Sequence, residues 1–172
     1  MPRPREFDKE KVLAKAMLLF WAQGDEATSV RDLTAATGIS SSSMYEFFGD
    51  KRAIFLLALE RYCGIEQARV AQIAAAAPSV QAFIETLFAS LKNPVLTEAN
   101  IQGSFAFNAM VELGMRDPDV TAQLVAHFYR IADIIAEVVA AGQAAETIIS
   151  TAAPADLAHM ILTTLQGVFT VT

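Results

Sequence analysis

Apolar positions along this chain recur every three or four residues, the spacing of a helix, and nothing reads with the period of two that a half-buried strand requires. The pattern predicts an all-α protein. Val12, Leu13, Ala16, Leu19 and Phe20 form a stripe down a first helix, with Asp8 as its N-cap, Phe7 stapled onto Val12, and Gly24 as its stop. Val30 and Leu33 mark a short second helix, and Ile39, Met44 and Phe48 carry the apolar face past Gly38, where the chain turns. A long helix is predicted from near Asp50, with Ile54, Leu57, Ala58 and Arg61 recurring along one side and only Gly64 as a breaker before Pro78. Further helices are expected at 79–92, 101–114, 118–141 and 154–171. Asn93-Pro94, the Arg116-Asp117-Pro118-Asp119 turn and the 142–154 stretch separate them. The last helix reaches Thr172 without a capping or polar close, so a final helix is expected to be missing or truncated.

Residues 28–52, TSVRDLTAATGISSSSMYEFFGDKR, spell two short helices joined by a tight glycine turn, the pattern of a helix-turn-helix. With Met44 and Phe48 turned inward, Ser41, Ser42, Tyr45 and Phe47 face outward on a helix that can enter a DNA major groove. The first helix braces this pair, and the long helix must complete its core, because about fifty residues alone are marginal.

The net charge of −6 speaks against DNA until it is divided along the chain. Residues 1–62 hold nine Lys or Arg and nine Asp or Glu, so the whole excess of acid lies in the remainder, with four against ten. Arg3 and Arg5, in the Pro2-Arg3-Pro4-Arg5 arm, are suited to lying along phosphates or in a minor groove; a basic tail without that role is the equally weighted alternative. A hydrophobic share of 53% in 172 residues is high for a small soluble monomer, so a partner subunit or a cavity is expected to cover apolar surface. No apolar run reaches the roughly 18 residues of a membrane span, and Glu6, Asp8 and Glu10 interrupt the amino terminus unlike a secretory signal, so a cytoplasmic protein is expected. The single cysteine, Cys63, cannot form an internal disulfide.

Catalysis finds little support. His127 and His159 lie far apart, Cys63 has no neighbour at metal-binding spacing, and there is no phosphate loop, G-x-S-x-G or carboxylate cluster, so neither a cofactor nor a metal is expected. The rival readings are an all-helical enzyme and a non-specific DNA-binding protein.

The first helix ending WAQG, the SVRDLTAATGIS turn and the SMYEFFGDKRAIF segment together resemble the TetR family of bacterial transcriptional regulators, most densely over residues 8–62. GSFAFNAMVELGMRDPDV is similar to a segment of one subgroup, with Ser104 where cysteine is common, which puts thiol-based sensing at that position in doubt. The resemblance implies a helix-turn-helix domain over 1–50 with its basic arm and a helical effector-binding and dimerisation domain over 51–172. It implies a homodimer paired through its last two helices, a small-molecule effector, and repression at a palindromic double-stranded DNA operator. No membrane partner is implied.

It also implies contacts to phosphate or bases from Ser29 and Arg31, and from Ser40, Ser41, Ser42 and Ser43, with Ser40 as the N-cap of the recognition helix. Tyr45 and Lys51 match family phosphate contacts. Glu46 and Phe47 depart from the family pattern: Phe47 can touch a thymine methyl or pack beside Phe48, and Glu46 must point away from phosphate or accept from a cytosine amino group. Arg52 is expected to pair with Glu46 or Asp50. The effector pocket is expected between the helices at 101–114 and 118–141 and the long helix. Phe83, Phe88, Phe105, Phe107, Met110 and Phe128 are its apolar candidates, and Asn108, Glu112, His127, Tyr129 and Arg130 its polar ones. His159 falls in the presumed dimer helix.

Overall fold

The computed structural model describes residues 8–91 and 103–171, without the side chains of 169–171. Among the described residues there are eight helices and no strand. They are α1 (Lys9–Gln23), α2 (Val30–Thr37), α3 (Ser41–Phe48), α4 (Lys51–Ala76), α5 (Val80–Ala89), α6 (Phe105–Leu113), α7 (Pro118–Ala144) and α8 (Pro154–Val171). Each of the first seven begins at an Asp or Ser whose side chain accepts from a backbone N–H of the first turn: Asp8, Ser29, Ser40, Asp50, Ser79, Ser104 and Asp117. Such caps contribute about 1 kcal/mol apiece and fix where each helix starts. The expected Phe7 staple and the Asn93-Pro94 break lie outside the described residues.

One apolar cluster joins both ends of the chain. Val12, Ala16 and Phe20 of α1, Leu33 of α2, and Met44 and Phe48 of α3 pack with Ile54, Phe55, Ala58, Leu59 and Tyr62 of α4. The same cluster takes in Phe105, Ala106 and Ala109 of α6 and Val120 and Leu124 of α7. Phe105 stands edge-on to Phe55 at 5.7 Å and to Tyr62 at 5.6 Å and stacks on Trp21 at 6.4 Å, while Phe20 meets Phe55 edge-on at 5.1 Å. Phe105 is therefore a keystone of the core. A second cluster surrounds the far half of α4, where Val70, Phe83, Leu87, Ile131, Ile135, Val139, Ala158 and Leu165 meet. Phe83 is fully buried there. The long helix is amphipathic on a face that the sequence reading placed slightly off: Leu57 is exposed and Arg61 pairs with Glu10, while Phe55 and Leu59 turn inward.

Polar clamps reinforce this shared core. The Arg52 guanidinium grips Asp117 through two hydrogen bonds of 2.8 Å and reaches Asp119 at 2.6 Å, so the expected pairing with Glu46 or Asp50 is replaced by one across to the start of α7. Asp50 is occupied capping α4. Glu112 of α6 accepts from the backbone N–H groups of Asp25 (3.1 Å) and Glu26 (2.8 Å), in the connection between α1 and α2. Both of its carboxylate oxygens are thus turned into the chain. Gly24 makes the approach possible: it sits at φ 81°, and a Cβ there would come within 2.8 Å of the Glu112 carboxylate.

Two outcomes follow from this packing. Phe105→Ala should lose about 3–5 kcal/mol in chemical denaturation, the usual cost of deleting a buried phenyl ring; a loss below 1 kcal/mol would contradict its place in the core. Glu112→Ala should leave two backbone donors without their acceptor and destabilise by about 1–3 kcal/mol. Amide exchange should accelerate selectively at Asp25 and Glu26, and unchanged protection there would remove the clamp.

Candidate nucleic-acid interface and effector pocket

The second and third helices are held by local chemistry that leaves one face of α3 open. Ser29 and Asp32 form a reciprocal capping box: the Asp32 N–H donates to Ser29 Oγ, and the Ser29 N–H and O–H donate to Asp32 Oδ2. These bonds to the charged form hold the Asp32 carboxyl below its ordinary value. Arg31 follows, exposed. Gly38 ends α2 in the left-handed conformation at φ 79°, and Ser40 restarts the chain by accepting from the Ser43 N–H. Ser40 Oγ also lies 2.9 Å from Ser42 Oγ and 3.0 Å from Ser43 Oγ, so the recognition helix opens on a cluster of hydroxyls.

Met44 and Phe48 anchor α3 on the core. On its opposite side Ser41, Ser42, Tyr45, Glu46 and Phe47 are exposed, Tyr45 at 54% and Phe47 at 41%. The ammonium of Lys9 stands 5.2 Å from the centre of the Phe47 ring. Lys9 was missed in the sequence because nothing in the spacing of α1 indicates that its first turn reaches α3. A cation over an exposed ring both orients the ring and adds positive charge beside the open face.

Lys51 is placed differently from a free phosphate contact. Its ammonium donates to the carbonyls of Asp25 (2.6 Å) and Thr28 (3.1 Å) and forms an ion pair at 3.3 Å with the Asp25 carboxylate, which braces the connection before α2. Arg3 and Arg5 lie outside the described residues.

Several of the expected pocket residues have structural places among the described residues. Beyond the core roles of Phe83 and Phe105 and the clamp formed by Glu112, Asn108 is exposed on α6. His127 and Phe128 do border a cavity, shared with Glu66, Arg69, Ser104 and Gln166, of about 20 Å³, room for about one water molecule. His127 is buried, and Gln67 Nε2 lies 3.2 Å from its Nδ1. Burial pushes its pKa below the ordinary value, and Glu66 pulls weakly the other way. The Tyr62 hydroxyl shares a hydrogen bond with Ser104 Oγ, and burial raises its pKa. Burial likewise pushes the Cys63 thiol up to about 12, with Glu66 and Glu60 adding to the rise, so the thiolate needed for reactivity is scarce. A wider cleft of about 660 Å³ lies between α5, α7 and α8, where the sequence reading placed nothing. Among the described residues no group of His, Cys, Asp and Glu converges as a metal site, and no helix is long and apolar enough to cross a membrane.

Comparison with known proteins matches both halves of the chain. Residues 12–58 fit the model of the bacterial regulatory proteins of the tetR family, and residues 76–172 that of the tetracyclin repressor-like C-terminal domain. The HTH-type transcriptional repressor ComR of Escherichia coli is 34% identical over 123 residues, 71% of this chain and 59% of that protein. The HTH-type regulator YezE of Bacillus subtilis is 32% identical over 120 residues, 70% of this chain and 62% of that protein. The chain thus spans about three fifths of the length of these curated relatives. A cysteine-substituted variant of the TetR family regulator CifR, solved with a 26 bp double-strand operator DNA, superposes with a TM-score of 0.80 at 26% identity. That match covers 98% of this chain and 88% of the other. With family models matched on both sides of α4 and the fold shared along nearly its whole length, the chain belongs to the TetR family of bacterial regulatory proteins.

Proposed function

We propose that the chain is a DNA-binding transcriptional regulator, a ligand-responsive repressor that binds a palindromic operator as a homodimer in the cytoplasm. The observation that carries this is α3, pinned by Met44 and Phe48 and presenting Ser41, Ser42, Tyr45 and Phe47 on its open side. Residues 1–50 supply the DNA-reading part and 51–172 the effector-binding and dimerising part. In this reading Ser29, Arg31 and the hydroxyls of Ser40, Ser41, Ser42 and Ser43 approach phosphates or base edges, with Tyr45 donating to a phosphate and Phe47 meeting a thymine methyl. Arg3 and Arg5 add charge from the amino-terminal arm. Lys51 contributes by holding α2 in place against α4. Hydroxyls discriminate less between bases than bidentate side chains do, so most affinity comes from the backbone.

Dimer symmetry places two copies of α3 in successive major grooves about 34–36 Å apart. Val125 and Tyr129 of α7 are exposed, and Tyr129 meets His159 of α8 edge-on at 6.1 Å, an amphipathic face for the partner's equivalent. An effector acts by favouring one of two spacings of the α3 pair, transmitted where Arg52 ties the start of α4, just after α3, to α7 and Glu112 ties the connection before α2 to α6. Nothing in this scheme requires catalysis.

Gel-shift titration against the inverted repeat in DNA flanking the gene tests the reading. Binding should resist scrambled competitor DNA and fall steeply as salt rises. Tyr45→Phe should weaken it roughly fivefold regardless of operator sequence, the loss of about one hydrogen bond to phosphate. Equal affinity for scrambled DNA would favour a non-specific binder and sink the proposal.

A further inference from the structure

The cleft of about 660 Å³ is walled from just beyond the Ala76 end of α4, a helix of 26 residues and so roughly 39 Å long that starts at Lys51. Its walls are aliphatic: Val80 and Ile84 of α5, Val139 of α7, Ile148 of the connection between α7 and α8, and Leu157 and Ile161 of α8. We infer that this cleft binds a small hydrophobic amine, an aliphatic body carrying one cationic head.

The cleft is held open by the chain itself. Gly142 lets α7 end against two of the wall residues, since a Cβ there would come within 2.4 Å of Val80 Cγ2 and 3.0 Å of Ile148 Cδ1. Glu146 then reverses the chain at φ 57°, and the N–H groups of Thr147 and Ile148 return to the Gly142 carbonyl at 2.9 and 3.2 Å. Gln143 ties down the rest of the connection, donating to the carbonyls of Ser150 (2.7 Å) and Ala152 (2.9 Å). A concave, mostly apolar site of this size with few polar groups is the usual form of a small-molecule site.

The polar rim sets the ligand's charge. Ser79 is engaged as the N-cap of α5, and the Thr147 hydroxyl donates to the Gly142 carbonyl. Among the lining residues Glu85 is the charged one, and Gln81 Nε2 donates to one of its oxygens at 2.8 Å, which holds the carboxylate at the mouth. No lining residue is a cation. An ammonium head therefore meets an acceptor that is already oriented, a hydroxyl head gains less, and a carboxylate head is repelled.

The binding is measured on the full chain without DNA, so it stands or falls apart from the operator reading. Calorimetric titration with decylamine, decanol and decanoate should rank them in that order. Glu85→Lys, an exposed change, should weaken decylamine roughly tenfold and put decanoate ahead of it, whereas Ile84→Gln should weaken all three while thermal unfolding confirms that the variant is folded. Two results would overturn the inference. One is decylamine binding that neither variant alters. The other is a wild-type oligomer, seen in sedimentation, that Glu85→Lys dissociates without any effect of amine, which would assign the cleft to a second copy of the chain.

Discussion

The helix-turn-helix module cannot close its own core, and the rest of the molecule is arranged around that deficit. Three short helices bury too little apolar surface to stand alone, so α4 and α6 must supply the missing wall. Phe105 does this most directly, filling the space bounded by Trp21, Phe55 and Tyr62. Because the stabilising contact comes from the carboxy-terminal half, a shift of α6 against α4 is a change in the core of the helix-turn-helix module. Close packing leaves such a core few intermediate arrangements, which suits a switch better than a gradual deformation.

Polar contacts then decide in which direction that coupling acts. The connection between α1 and α2 is held from two sides, by the Glu112 carboxylate on its N–H groups and by the Lys51 ammonium on its carbonyls. An acceptor from α6 and a donor from α4 therefore meet on one short loop, and α2 follows directly from it. Moving α6 without moving α2 requires breaking charge-assisted hydrogen bonds, which are among the stronger ones available. The exposed pair between Arg116 and Glu26 contributes little by comparison.

The helices were legible in the sequence because caps and periodicity are local. Asp8, Ser29, Ser40, Asp50 and Asp117 each start an element through bonds to the next three residues, and Gly24 and Gly38 end the first two of them. The outward face of α3 was legible for the same reason, since Met44 and Phe48 fix its orientation four residues apart. Long-range partners were not. Arg52 finds Asp117 and Asp119 some 65 residues away, Glu112 finds a loop 87 residues away, and a ring such as Phe105 reads identically in a core and in a pocket. The open cleft escaped notice because its walls come from three helices and a connection that lie far apart in sequence.

Asp117 shows how local and distant constraints combine. The same carboxylate that caps α7, accepting from the N–H groups of Asp119 and Val120, also receives the fork of Arg52. Arg52 is the chief cause that holds its pKa below the usual carboxylate value, with the backbone donors adding to it, so the ionised form is favoured from both sides. The start of α7 is thereby fixed to the start of α4, within one turn of Lys51 and immediately after α3. A displacement anywhere along α7 reaches this point as a rigid rotation of a 27-residue helix, and the fork leaves α4 little freedom to absorb it. The two ends of the same helix thus meet different parts of the fold: its amino terminus is tied to the start of α4 just after the helix-turn-helix, and its carboxy terminus, at Val139 and Gly142, borders the cleft.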